Sequence, residues 1–175
     1  IMDQYGVKVE WLRVDDCFRV ISKYSDGAPM DVTMPSGIEP FIDKMEEYVP
    51  GSRPQMTKLF DLFQEVLDGI AYITASSGHA DSNVLKEKYP NMLRTGAYPT
   101  KKVFDALKLP LRAQDILSTY WSYLGVDMEH LAFIHYAAMV HKYISRSAYI
   151  PTYTSHEISN AMVERFRELG GDVWY

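Results

Sequence analysis

The hydrophobic period of this chain changes once, at Pro35-Ser36-Gly37, and that change limits what it can fold into. Before it, Val7-Lys8-Val9-Glu10-Trp11 and Met30-Asp31-Val32-Thr33-Met34 alternate apolar with polar residues, the mark of half-buried strands. Phe18-Arg19-Val20-Ile21-Ser22-Lys23-Tyr24 reads as a strand between them. Ser25-Asp26-Gly27-Ala28 is a hairpin turn, because Asp-Gly tolerates the positive φ angles of a tight turn. The pattern predicts an antiparallel strand meander over residues 1–34.

After the change, the period is helical. Ile38, Phe41, Ile42, Met45 and Tyr48 predict a helix from Ile38 to Val49, with Pro40 tolerated in its first turn. Ser52 or Arg53 with Pro54 starts the next helix, whose broad apolar face runs from Met56 to Ile73. Ala75 to Asp81 is small and polar, hence a loop, and Asn83 to Met92 is ambiguous. Thr100 to Leu107 predicts a short helix with Thr100 as its cap. Pro110 opens a helix through Ile116 to Leu124, ended by Gly125, and Asp127 caps a further helix from Met128 to about Ser145. The expected architecture is a single α+β domain over residues 1–175, mostly helical with a small antiparallel sheet. Its parts are the meander (1–34), a helical roof (35–145) and a return segment (149–175).

The return segment reads as a turn, a capped helix, a glycine stop and the start of a strand. Thr154 with Glu157 three residues on is a capping box. Ile158, Met162, Phe166 and Leu169 share one helical face, and Gly170 or Gly171 closes the helix. Val173-Trp174-Tyr175 then begins a strand too short to complete a sheet, so the expectation is of a piece cut from something longer.

Several function classes recede. No basic run appears and the net charge is -5, which disfavours nucleic-acid binding. The longest apolar stretch, Leu131 to Ile144, is broken by His135, His141 and Lys142, so no membrane span is expected. No GxGxxG, GxxxxGK[ST] or serine-hydrolase elbow occurs. The one cysteine, Cys17, forms no internal disulfide, fits a reducing cytoplasm, and reads as a small packing residue rather than a nucleophile. His130, His135 and His141 sit at spacings of five and six. His130 and His141 share a helix face but lie about 16 Å apart at 1.5 Å per residue, too far to meet at one ion. Glu46-Glu47 reads as a solvated face and Asp15-Asp16 as a turn. An aromatic band, Tyr120, Trp121, Tyr123, Phe133, Tyr136 and Tyr143, reads as core packing or as a cavity wall for a planar or polyene substrate.

The order of these pieces resembles the middle of the phytoene desaturase and retinol saturase group of FAD-dependent oxidoreductases. The resemblance is carried by the hairpin at Asp26-Gly27, by Glu47-Tyr48-Val49-Pro50-Gly51, and by Leu111-Arg112-Ala113-Gln114-Asp115-Ile116-Leu117 followed by Tyr123-Leu124-Gly125-Val126. It is sharpest from Phe133-Ile134-His135 through His141 to Tyr149-Ile150-Pro151, then Leu169-Gly170-Gly171. In that family the FAD-binding fold is split in sequence around a substrate domain. The resemblance therefore implies a substrate domain, inactive as an isolated fragment, whose partner is the missing FAD-binding domain of the same polypeptide. It implies an apolar, polyene or isoprenoid-like substrate acted on at a carbon–carbon bond. With the cytoplasmic location that the single cysteine fits, an apolar substrate leaves peripheral membrane contact open for the parent protein.

The resemblance further implies that Pro151, Thr152, Tyr153 and Thr154 face the flavin, and that Tyr120, Tyr123, Phe133, Tyr136 and Tyr149 line a substrate cavity. It names no catalytic side chain, because flavin carries the hydride chemistry. Where the family has a glycine pair two residues after the proline, this chain has Tyr153 and Thr154. Two other readings stay open: a stand-alone helical protein-binding module, and the substrate domain of a flavin amine oxidase.

Overall fold

The computed structural model describes residues 2–174, with the side chains of Trp121 and Ser122 outside that description. After a 3₁₀ turn at Met2–Tyr5 come strands β1 (Trp11–Val14), β2 (Asp16–Lys23) and β3 (Pro29–Pro35). Eight helices follow: α1 (Ile38–Tyr48), α2 (Arg53–Ala75), α3 (Ser82–Lys88), α4 (Pro90–Thr95), α5 (Thr100–Ala106), α6 (Leu111–Ser118), α7 (Trp121–Leu124) and α8 (Phe133–Arg146). Strand β4 (Ala148–Pro151) and helix α9 (His156–Glu168) end the order. The fold is α+β, mostly helical, and its strands pair antiparallel in two two-stranded sheets. Among the described residues no helix is long and apolar enough to cross a membrane.

The chain divides into two compact units. Asp16–Arg146 forms a helical unit, and the segments up to Asp15 and from Ser147 form a ribbon unit. The expected meander is thereby corrected. β1 pairs with β4, in register Leu12↔Ile150, while β2 pairs with β3 as a hairpin. Alternation marks a strand but says nothing about its partner, which tertiary context selects. Val7–Glu10 forms no strand, and Ala148–Pro151, expected as a turn, is one.

In the helical unit, the hairpin turn forms where Asp-Gly predicts it. Gly27 takes φ 84, and Asp26 accepts the Ala28 N–H at 2.9 Å. Met30, Val32 and Met34 point inward and are buried. They join Phe41, Ile42 and Met45 of α1 and Met56, Leu59, Phe60, Phe63 and Val66 of α2 in one apolar core. The start of α2 is fixed by Glu46, whose carboxylate accepts the N–H groups of Gly51 (2.6 Å) and Arg53 (2.7 Å). Those donors hold the Glu46 carboxyl below its ordinary pKa. Glu46 is therefore a helix clamp rather than part of a solvated face. Glu47, its neighbour, pairs with Lys44 on the exposed side.

Two helix boundaries differ from expectation. The helix expected from Pro110 to Leu124 breaks at Thr119 into α6 and α7. Asp127 caps only a turn, accepting from Glu129 and His130 N–H, and α8 begins at Phe133. The intervening backbone is diverted: Leu131 and Met128 carbonyls accept from Thr100 and Lys101 N–H at the start of α5. That long-range pairing competes successfully with continuation of the helix. Thr100 likewise turns its hydroxyl to the Leu131 carbonyl instead of capping its own helix.

In the ribbon unit, half of the expected capping box forms. Glu157 Oε1 accepts from Thr154 N–H at 3.0 Å and from Tyr153 N–H at 2.8 Å, but no side-chain cap is returned and α9 starts at His156. Gly170, at φ 87, closes the helix. Gly171–Trp174 forms no strand, which corrects that expectation, and Tyr175 lies outside the described residues.

Candidate functional site

The four residues expected to face a flavin lie together in the ribbon unit. Pro151 ends β4 opposite Trp11. Thr152 returns both its N–H (3.0 Å) and its hydroxyl (3.2 Å) to the Glu10 carbonyl, which pins the segment to the residue preceding β1. With Tyr153 and Thr154 N–H both held by Glu157, the backbone donors of the segment are satisfied within the ribbon unit. The Tyr153 ring projects from it, 79% exposed.

The ribbon beneath this loop has apolar residues on both faces. Side chains alternate along a strand, so Trp11, Tyr149 and Pro151 share one face and Leu12 and Ile150 the other. Trp11, Tyr149, Leu12 and Ile150 are all exposed. So are Met162, Phe166 and Leu169, the apolar stripe of α9. Val7 is the one buried apolar side chain among the described residues of this unit.

The five aromatic residues expected to line a cavity are divided between the two units. Tyr149 belongs to the ribbon unit and the other four to the helical unit. Phe133 and Tyr136 are fully buried. Phe133 stacks on Phe63, ring centroids 5.7 Å apart, and Tyr136 meets Phe104 edge-on at 5.5 Å. The Tyr136 hydroxyl donates to the Leu117 carbonyl at 2.9 Å, and burial pushes its pKa up, so it stays a neutral donor. Tyr120 is buried edge-on to Phe18 and Tyr143 and tilted to Tyr123, whose own ring is mostly exposed. Phe133, Tyr136 and Tyr120 thus pack in the core of the helical unit, beside helix faces that sequence periodicity does identify. Beside Tyr120, burial raises the pKa of the half-buried Cys17 thiol, which disfavours the thiolate a nucleophile requires.

Sequence reasoning missed a concave feature of the helical unit. A groove of about 470 Å³ opens between α2, α4 and α5. Lys58, Asp61, Leu62 and Glu65 of α2 form one wall at helical spacing, and Asn91, Arg94 and Thr95 of α4 form another. Tyr98 and one side of α5 complete it. Glu65 builds the junction: its carboxylate accepts from Asn91 N–H (2.7 Å), Asn91 Nδ2 (2.8 Å) and Met92 N–H (3.2 Å), clamping the start of α4. Gly69 lets the helices approach, because a Cβ there would lie 2.3 Å from Met92 Sδ. The available signal was the charged i, i+3, i+7 stripe Lys58-Asp61-Glu65 beside Leu62, which alone resembles an ordinary solvated face.

Among the described residues, no three His, Cys, Asp or Glu side chains are grouped to hold a metal ion. His130 pairs with Asp127, and His141 lies buried against Phe60. No family model, curated protein or solved structure matches this chain.

Proposed function

We propose that this chain is the substrate domain of an FAD-dependent oxidoreductase that adds or removes hydrogen at a carbon–carbon bond of an apolar, polyene or isoprenoid-like molecule. The observation that carries the reading is the ribbon unit. It is a two-stranded sheet with apolar side chains exposed on both faces. Such a ribbon is marginal alone in water, and its composition suits strands laid within a larger sheet. An FAD-binding domain of the same polypeptide is the companion that the sequence resemblance implies.

The return segment suits contact with a flat ring better than with a phosphate. Pro151 and the exposed Tyr153 ring offer apolar surface, while Tyr153 and Thr154 N–H are already engaged by Glu157. The phosphates would therefore be held by the companion. Flavin, when bound, supplies the hydride chemistry. The residues of this chain contribute apolar contact and exclusion of water, with Thr152 and Glu157 keeping the loop in place.

The test is flavin retention and reduction. The 175-residue chain purifies colourless, whereas the polypeptide joined to its companion carries stoichiometric flavin that a polyene, and not an amine, reduces or reoxidises. Tight FAD binding by the 175 residues alone would overturn the division of labour. Bleaching by amines only would move the reaction to amine oxidation.

A further inference from the structure

The geometry points to a ligand site for a monoanionic amphiphile, an aliphatic or aromatic carboxylate, in the groove between α2, α4 and α5. The volume of about 470 Å³ falls within the usual range of small-molecule sites. Leu62, Val103 and Leu107 with Ala106 give it an apolar floor on which a hydrocarbon body can shed water. The rim is charged, and the charges are specific in number and state.

Three cations, Lys58, Arg94 and Lys102, face two carboxylates, Asp61 and Glu65, so the rim carries a formal charge of 3 − 2 = +1. That surplus complements one negative charge rather than two. Glu65 is consumed by the α4 backbone and Asn91, which keeps it from neutralising the cations at close range. Neither the Lys58 nor the Arg94 side chain makes an ion pair or hydrogen bond among the described residues. Lys102 is steadied with its ammonium 4.3 Å from the Tyr98 ring centroid, a contact that leaves N–H donors free. Arg94 presents the planar fork that reads a carboxylate with two parallel bonds. A concave apolar floor ringed by uncommitted cations is an arrangement a solvated surface does not require.

The site lies wholly within the helical unit, and its argument is independent of flavin. Decanoate, decylamine and decan-1-ol serve as probes, added to the 175-residue chain and followed by calorimetry and by backbone amide shifts. Decanoate binds, decan-1-ol binds more weakly, and decylamine weakest, with shifts confined to α2, α4 and α5. The double substitution Arg94→Met with Lys102→Met weakens decanoate about tenfold, the loss expected for one charge-assisted contact, and leaves decan-1-ol unchanged. Ala106→Trp, at an exposed helix position, fills the groove and weakens both. Decylamine binding as well as decanoate, shifts mapping elsewhere, or no decanoate binding at its solubility limit would each overturn the proposal.

Discussion

The two sheets of this protein are alike in strand number and direction and opposite in circumstance. The β2–β3 hairpin carries Met30, Val32 and Met34 into a core shared with α1 and α2, and its turn is written locally in Asp26-Gly27. The β1–β4 ribbon joins strands whose facing residues lie far apart in sequence, and it buries none of its own side chains. Both are antiparallel, although β2–β3 is the longer ladder. What differs is cover, and cover supplies most of the free energy of a sheet this small. The helical unit thus has a core of its own, whereas the ribbon unit leaves most of its apolar side chains exposed.

The strongest way to break this comparison is to remove one large aromatic from each unit. Phe63 is fully buried, touching Phe60, Phe133 and Tyr136. Phe63→Ala costs about 3–5 kcal/mol of unfolding free energy, from lost transfer energy and the cavity left behind. Tyr153→Ala, at an exposed ring, changes it by less than about 0.5 kcal/mol. Urea titration of both variants measures the contrast, and similar losses would show that the ribbon unit is packed more completely than its exposure implies.

A sharper test lies within the helical unit, at the junction that makes the groove. Gly69 is buried where α2 meets α4, with Met92 Sδ and Tyr89 Cγ inside normal Cβ distance. Gly69→Leu forces the helices apart and costs about 1–3 kcal/mol by overpacking, despite the better helix propensity of leucine. Because α4 carries Arg94, the same variant weakens decanoate binding, whereas Tyr153→Ala leaves that binding unchanged. A Gly69→Leu protein with parental stability would mean that Met92 absorbs the added volume.

Much of the helical unit was legible because its signals are local. Apolar spacing and Pro54 mark α2, and the glycine turn marks the hairpin; in the ribbon unit, Gly170 marks the end of α9 in the same local way. What escaped depends on contacts far apart in sequence. Nothing near Trp11 announces Pro151 as its partner, and nothing near Asp127 announces that Thr100 will take the Leu131 carbonyl. The aromatic band shows the same limit. Tyr136 and Tyr123 are the same residue type on neighbouring elements, yet one donates to Leu117 inside the core and the other faces solvent. The groove was hidden for a related reason: Glu65 becomes a clamp only because α4 arrives beside it from 26 residues away.

The smallest effect concerns a buried imidazole in α8. His141 is 6% exposed, packs on Phe60, and has no hydrogen-bond partner for either ring nitrogen among the described residues. Burial lowers its pKa below the ordinary histidine value of 6.5; Asp68 opposes that shift and Arg146 adds to it. The folded protein therefore binds this proton less readily than the unfolded chain does. The stabilising contribution is complete above the unfolded pKa and is lost as pH falls from there through the folded pKa. His141→Met keeps an apolar side chain of similar volume and removes the titration, so its stability declines less between pH 7 and pH 5 than that of the parent. Subtracting one profile from the other isolates the imidazole from the carboxylates that titrate lower. Parallel profiles would mean that the ring is protonated as easily inside the protein as outside it, and so that this part of the helical core admits water as freely as the ribbon surface does.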